Sequence, residues 1–391
     1  MPRCEASARC ASASSHAAPA GRHRAARRRV RFDPRPADAE RAARLISPSR
    51  GWHPMPPISS ADAPTTIFMF SGQGSHYYQM GRDLFEQRGA FYRHALELNE
   101  LIRQDLGVSI LAEIYDPQRK ASDRFDATPP THCAIFLVEY ALGRALIEEG
   151  IQPDFLLTAS MGSFAALALA RCLTVEEAVS AVVSQARLLD EFGAPGGIVA
   201  VPNLPWEQVR ALAERFDCDL GAINNLSACT LSAERQRLGA VVAALRESNA
   251  IYQQLAVSRA FHSRWIDAAR APFLNSMTFT RWHAPSIPIV CCADVDVLHE
   301  IRSSYLWDVV RQPIRFDDTV RMLAGRQRRA LRFIDVGPSG TLATSLKFSE
   351  TRLPVPCEVH GVLSPFGGNV LRYARTAGLF GKAARGVSPA V

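Results

Sequence analysis

At 391 residues with 47% apolar side chains, the chain is long enough for one large domain plus a smaller one around a sizeable core. Its net charge of +7 comes from the first 54 residues, where twelve Arg face four acidic residues. The remainder is close to neutral and lacks the basic cluster that a nucleic-acid groove requires, and no apolar run reaches the roughly 18 residues of a membrane span.

Residues 1–62 are rich in Ala, Ser, Arg and Pro and poor in large apolar side chains, so they are expected to be disordered. Their composition fits an organelle transit segment. Translation starting at Met55 is the favoured reading, because Arg dominates over Lys throughout the chain. The start lacks the apolar stretch of a secretory signal. Nine cysteines without C-x-x-C spacing read as buried, reduced thiols, and the expected location is the cytoplasm.

Order is predicted to begin with an apolar strand over 66–70 that runs into Ser71-Gly72-Gln73-Gly74. The two glycines let the backbone turn tightly and offer Gln73 at the C-terminal end of a strand, where open α/β sheets place their sites. Helices follow over 78–91 and 94–101, then a loop over 126–130 and a buried helix over 131–142. Next comes an apolar strand that ends just before Ser160-Met161-Gly162, with the helix-forming run 163–170 behind it. Strand, serine and helix in immediate succession are the layout of a nucleophile elbow. The turn lifts the serine oxygen clear of the sheet, and the Met161 amide at the helix start points where an oxyanion would form.

Thr174, with Glu176 and Glu177 behind it, caps another predicted helix. After the break at 193–197 the pattern reads strand 198–201, helix 206–216, strand 220–224, strand 229–232, helix 236–248 and strand 252–257. This β-α-β-β-α-β order is the signature of a ferredoxin-like unit. The larger part resumes at Phe261-His262, with helices over 266–273 and 305–311 and strands over 287–292 and 331–336. The fold class expected is α/β: a large subdomain (63–195 and 258–380) with a mostly parallel sheet, a ferredoxin-like insert (196–257) and a tail (381–391).

Taken together, the Ser71-Gly72-Gln73-Gly74 turn, the Ser160 elbow, Ser258-Arg259-Ala260-Phe261-His262-Ser263 and Asp335-Val336-Gly337-Pro338 resemble one family in order and spacing. It is the family of malonyl-CoA:acyl-carrier-protein transacylases and the acyltransferase domains of polyketide and fatty acid synthases, and the resemblance covers about 65–370. It implies that the large subdomain is α/β-hydrolase-like, with Ser160 as nucleophile, His262 as general base, and backbone N–H groups of Gln73 and Met161 as oxyanion donors. It also implies that a backbone carbonyl near Pro313 orients the histidine, with Val309 the best match. No cofactor or metal is implied. The expected partner is an acyl carrier protein, with acyl-CoA as a second candidate donor.

The departures from the family pattern bear on function. Thr158 and Ala159 replace the usual glycine and histidine before the serine, and Ser163 replaces an acid after it. Family members that load malonyl groups carry an arginine on the second helix after the nucleophile, and counting along this chain puts Gln185 there. A neutral amide cannot supply a guanidinium's bidentate grip on a carboxylate. Arg187 lies about 200° further round the helix, while Arg259 is a rival cation. Gln185 and Phe261 are thus the expected acyl-pocket residues. With the ending 362–368, Gln185 resembles the discrete acyl hydrolases that accompany polyketide synthases whose acyltransferases act in trans. Two alternatives stay open: a malonyl transferase with a cation from elsewhere, and a catalytically silent carrier-binding module.

Overall fold

The computed structural model describes residues 63–349 and 351–378, so the expectations for 1–62 and for the tail lie outside the described residues. All described residues fall within one of the two contact units of the chain, Ile58–Val391.

The chain first runs through β1 (Thr65–Phe70), α1 (Arg82–Phe85), α2 (Ala90–Leu106), α3 (Thr128–Glu148), β2 (Phe155–Thr158), α4 (Gly162–Leu169) and α5 (Val175–Phe192). It continues through β3 (Gly196–Val201), α6 (Trp206–Phe216), β4 (Asp219–Asn225), β5 (Ala228–Glu234), α7 (Arg235–Glu247) and β6 (Gln253–Gln254). The last part holds β7 (Ile289–Cys291), β8 (Asp296–Leu298), α8 (Tyr305–Arg311), β9 (Ile314–Arg315), β10 (Leu331–Asp335), α9 (Thr341–Lys347) and β11 (Cys357–Gly361).

Six strands form a sheet in the order β11-β10-β1-β2-β7-β8, with every neighbouring pair parallel except β7 and β8. Both faces of this sheet are covered, which explains the continuous apolar run of β1. Phe68 and Phe70 pack on one side with Phe136 and Phe164. Ile67 and Met69 pack on the other with Leu157, Val290 and Phe333. The second sheet has the order β6-β3-β5-β4-β9, antiparallel until β9 joins β4 in parallel. Its separate core includes Val199, Leu231, Val209 and Val241.

Several expectations need correction. No helix spans 78–91, because Gln79, Gly81 and Arg88 all take left-handed backbone and leave only α1 between them. The predicted helix over 94–101 is the middle of the longer α2. The expected loop 126–130 is shorter, since α3 starts at Thr128 with prolines in its first turn. Proline is tolerated there because those N–H groups have no intrahelical partner. The strand expected over 252–257 shrinks to two residues, and the 257 amide turns back to the Leu255 carbonyl. The segment 196–257 is also not closed on itself, because β9 enters its sheet from the later part of the chain. Finally, Cys357 is exposed, against the expectation of buried thiols, whereas the other described cysteines are buried and free.

Candidate active site

The Ser160 elbow forms between β2 and α4, and Ser160 itself has a φ of 55°, in the left-handed region that such a tight turn demands. Two glycines let the end of β1 press against this turn. A Cβ on Gly162 would lie 2.5 Å from the Phe70 carbonyl carbon, and one on Gly72 would lie 2.6 Å from the Ser160 Cβ. Glycine is therefore required at both positions for the Ser71–Gln73 turn and the serine to sit side by side. The Ala159 amide donates to the Phe70 carbonyl at 2.9 Å and ties the two strand ends together.

His262 arrives from the far side of the chain, also with positive φ (60°), its amide donating to the Val310 carbonyl at 2.9 Å. Its Nε2 lies 2.8 Å from the Ser160 Oγ, and its Nδ1 lies 2.7 Å from the Gln312 carbonyl. A carbonyl only accepts, so the ring proton is assigned to Nδ1 and the Nε2 lone pair faces the serine hydroxyl. The orienting residue is thus Gln312 and not Val309. Gln312 precedes Pro313, which pushes it out of helical backbone (ψ 153°) and turns its carbonyl away from α8 toward the imidazole. Burial lowers the His262 pKa to about 4, with Arg311 adding to the effect and the Gln312 bond opposing it. The ring is therefore neutral at physiological pH, the state a general base needs.

The Met161 and Gln73 amides donate to no acceptor among the described residues. Met161 stands at the start of α4, where amide groups are unsatisfied by the helix itself. The Gln73 side chain points elsewhere: its Nε2 donates to the Thr131 Oγ1 at 3.1 Å and meets the His132 Nδ1. His132 is buried beside Phe261, with ring centroids 5.4 Å apart.

Gln185, on α5, is fully buried; its Nε2 donates to the Leu306 carbonyl at 2.8 Å, and its Oε1 has no partner. The neighbouring Tyr305 hydroxyl lies 3.5 Å from the Ser163 Oγ, one turn past the nucleophile. Gln185 is thus linked to the start of α4 through two successive residues of α8, Leu306 and Tyr305. The two arginines weighed as alternative cations are engaged elsewhere. Arg187 donates to the Asp105 and Leu106 carbonyls at the end of α2, so it does face away as the helical count predicts. Arg259, the rival cation left open by the sequence, donates to the Leu189 and Asp190 carbonyls and pairs with the Asp190 carboxylate at 2.8 Å.

Sequence reading missed Gln312 and Glu139. Glu139 is fully buried in α3, and its Oε1 accepts from both the Ser71 amide and the Ser71 hydroxyl. A carboxyl inside the apolar run 133–142 is the signal that could have found it. The assembled geometry sets a serine hydroxyl against a neutral imidazole, with the Met161 amide next in the chain and the Gln73 amide next to Gly72, which abuts the serine. That set suits acyl transfer through a serine ester.

Residues 67–371 match the family model described as Acyl transferase domain. The Polyketide biosynthesis acyltransferase homolog BaeD of Bacillus velezensis is 36% identical over 304 residues, covering 77% of this chain and 92% of BaeD. The homolog PksD of Bacillus subtilis is 35% identical over 282 residues, covering 72% of this chain and 86% of PksD. Among solved structures, the acyltransferase domain from the second module of the salinomycin polyketide synthase aligns with a TM-score of 0.71 at 25% identity, over 90% of this chain and 84% of that one. The malonyl CoA-acyl carrier protein transacylase from Burkholderia pseudomallei aligns with a TM-score of 0.65 at 26% identity, over 73% of this chain and 97% of that one.

Proposed function

Given that the chain belongs to the acyl transferase domain family, we propose that it is an acyl hydrolase that clears uncharged acyl groups, such as acetyl, from acyl carrier proteins of a polyketide synthase. His262 takes the Ser160 proton as the serine oxygen attacks the thioester carbonyl. The oxyanion is held by the Gln73 and Met161 amides, and the carrier thiolate leaves with the proton from His262. Water then attacks the serine ester with His262 again as base, releasing the carboxylic acid and restoring the serine.

The observation that carries this reading is the buried neutral amide of Gln185, with Arg187 and Arg259 committed to other partners. A malonyl carboxylate placed there would be dehydrated without a cation to pair with, at several kcal/mol. The polyketide setting rests on the names of BaeD and PksD, and the chain covers most of the length of both.

The test is intact-mass analysis of acetyl- and malonyl-loaded carrier protein after incubation with the enzyme, with and without a second, unloaded carrier. The expected result is fast loss of acetyl to water and slow loss of malonyl. A preference for malonyl, passed to the second carrier faster than to water, would make the chain a malonyl transferase instead.

A further inference from the structure

The turn that carries the Gln73 amide is held from behind by one helix. Ser71 donates to the Glu139 Oε1 twice, through its amide at 2.7 Å and its hydroxyl at 2.9 Å. Two turns earlier on the same helix, Thr131 and His132 hold the Gln73 side chain. His132 and Glu139 are seven residues apart, which brings them to the same face of α3 within about 20°. On its other side Ser71 is backed by Gly337, where no Cβ could be accommodated against the Ser71 Oγ. The residue after Ser71 is Gly72, which abuts Ser160, and the one after that offers the free amide.

A carboxyl with no exposed surface, whose Oε2 has no partner, carries a large desolvation penalty. Burial, with Asp335 nearby, holds it well above the usual carboxylate range despite the lowering from the Ser71 bonds. Packing alone would be served better by an apolar side chain in this core, which includes Phe136, Leu142 and Phe164.

We propose that Glu139 is a positioning residue for the oxyanion site: by fixing Ser71 it sets where the Gln73 amide points. The proposal rests on the reading of that amide as an oxyanion donor. Glu139 touches neither Ser160 nor the substrate in this role. Its effect is on the rate of reaching a charged tetrahedral centre, not on substrate binding.

The experiment measures the labelling rate of Ser160 by a fluorophosphonate, whose phosphoryl oxygen develops charge as Ser160 attacks and fluoride leaves. It is paired with kcat and KM for release of acetyl from carrier protein. Glu139→Leu should slow labelling at least about 10-fold, toward the roughly 10²–10³-fold loss of deleting an oxyanion donor. It should lower kcat while leaving KM near its original value. Glu139→Gln keeps an acceptor for Ser71 and should recover most of the lost rate. Should Glu139→Leu fail to fold, Glu139→Met is read the same way. Labelling of the apolar variant at the unaltered rate would overturn the proposal, as would equal losses in the Leu and Gln variants. Failure of the underlying Ser160–His262 reading would look different, because the unaltered protein would then not be labelled at all.

Discussion

Replacing Gly72 by alanine tests how closely the first strand's end must approach the nucleophile. The added methyl would lie 2.6 Å from the Ser160 Cβ and 3.0 Å from its Oγ. Carbon atoms settle at about 3.5–4.0 Å, so roughly 1 Å must open between the turn and the serine. The serine cannot retreat freely, because its oxygen is held 2.8 Å from the His262 Nε2 and its turn is pinned by the tight approach of Gly162 to Phe70. A misplacement of about 1 Å in a catalytic constellation can cost on the order of 10²-fold in rate. Overpacking of a close-fitted site costs about 1–3 kcal/mol of stability. Gly72→Ala is therefore expected to fold with a lowered melting temperature and to release acetyl from carrier protein about 10²-fold more slowly. Gly239→Ala is the control, since an added Cβ meets nothing within 4 Å there, and it should leave the rate unchanged. Gly72→Ala working within a few-fold of the unaltered enzyme would refute the claim that close approach places the serine.

Gln185→Arg should favour malonyl over acetyl by adding a charge-assisted pair of about 1.5–3 kcal/mol, or roughly 10- to 150-fold, in competing release assays; an unchanged acetyl-to-malonyl ratio would remove Gln185 from the acyl pocket. Because burial lowers the His262 pKa to about 4, the base stays neutral down to that pH and becomes protonated below it. The acid limb of kcat/KM should accordingly fall near pH 4 and not near the 6.5 of a solvated imidazole, and a limb at 6.5 would contradict the buried neutral ring. Ser160→Ala should give no covalent acyl adduct by intact mass, whereas His262→Ala should retain the fold and lose at least about 10²-fold in rate.

Much of the architecture is legible in the residues. The bounds expected for helices over 206–216 and 305–311 coincide with those of α6 and α8, and Thr174 with Glu177 forms the capping box that its spacing suggests. The elements that escaped include the helix Phe316–Gly325 and the strand β11 as well as the brief β9. β9 is two residues long and forms only because β4 presents an edge to it, and no periodicity marks so brief a strand. The helix misread over 78–91 failed for a local reason: Gln79 and Arg88 adopt left-handed backbone that their side chains do not advertise. At the candidate site, Ser160 stood out through its strand-serine-helix pattern, and His262 only through the family resemblance. Gln312 acts through its carbonyl, which every residue type carries, so its side chain gives no hint of the role. Arg259 stays open as a rival cation because sequence cannot show that the carbonyls closing α5 and the Asp190 carboxylate engage it.

The short strand β9 has a mechanical consequence. Ile314 and Arg315 hydrogen-bond to β4 in the small sheet, while the Arg315 amide also reaches the Cys292 carbonyl at the end of β7 in the large one, at 2.9 Å. Two residues upstream sits the carbonyl that steadies the imidazole, with only Pro313 between it and this rivet. The joint between the two sheets and the support of the His262 ring are consequently adjacent in the chain. A shift of the small sheet relative to the large one would therefore be passed through Pro313 to the Gln312 carbonyl that accepts from the imidazole.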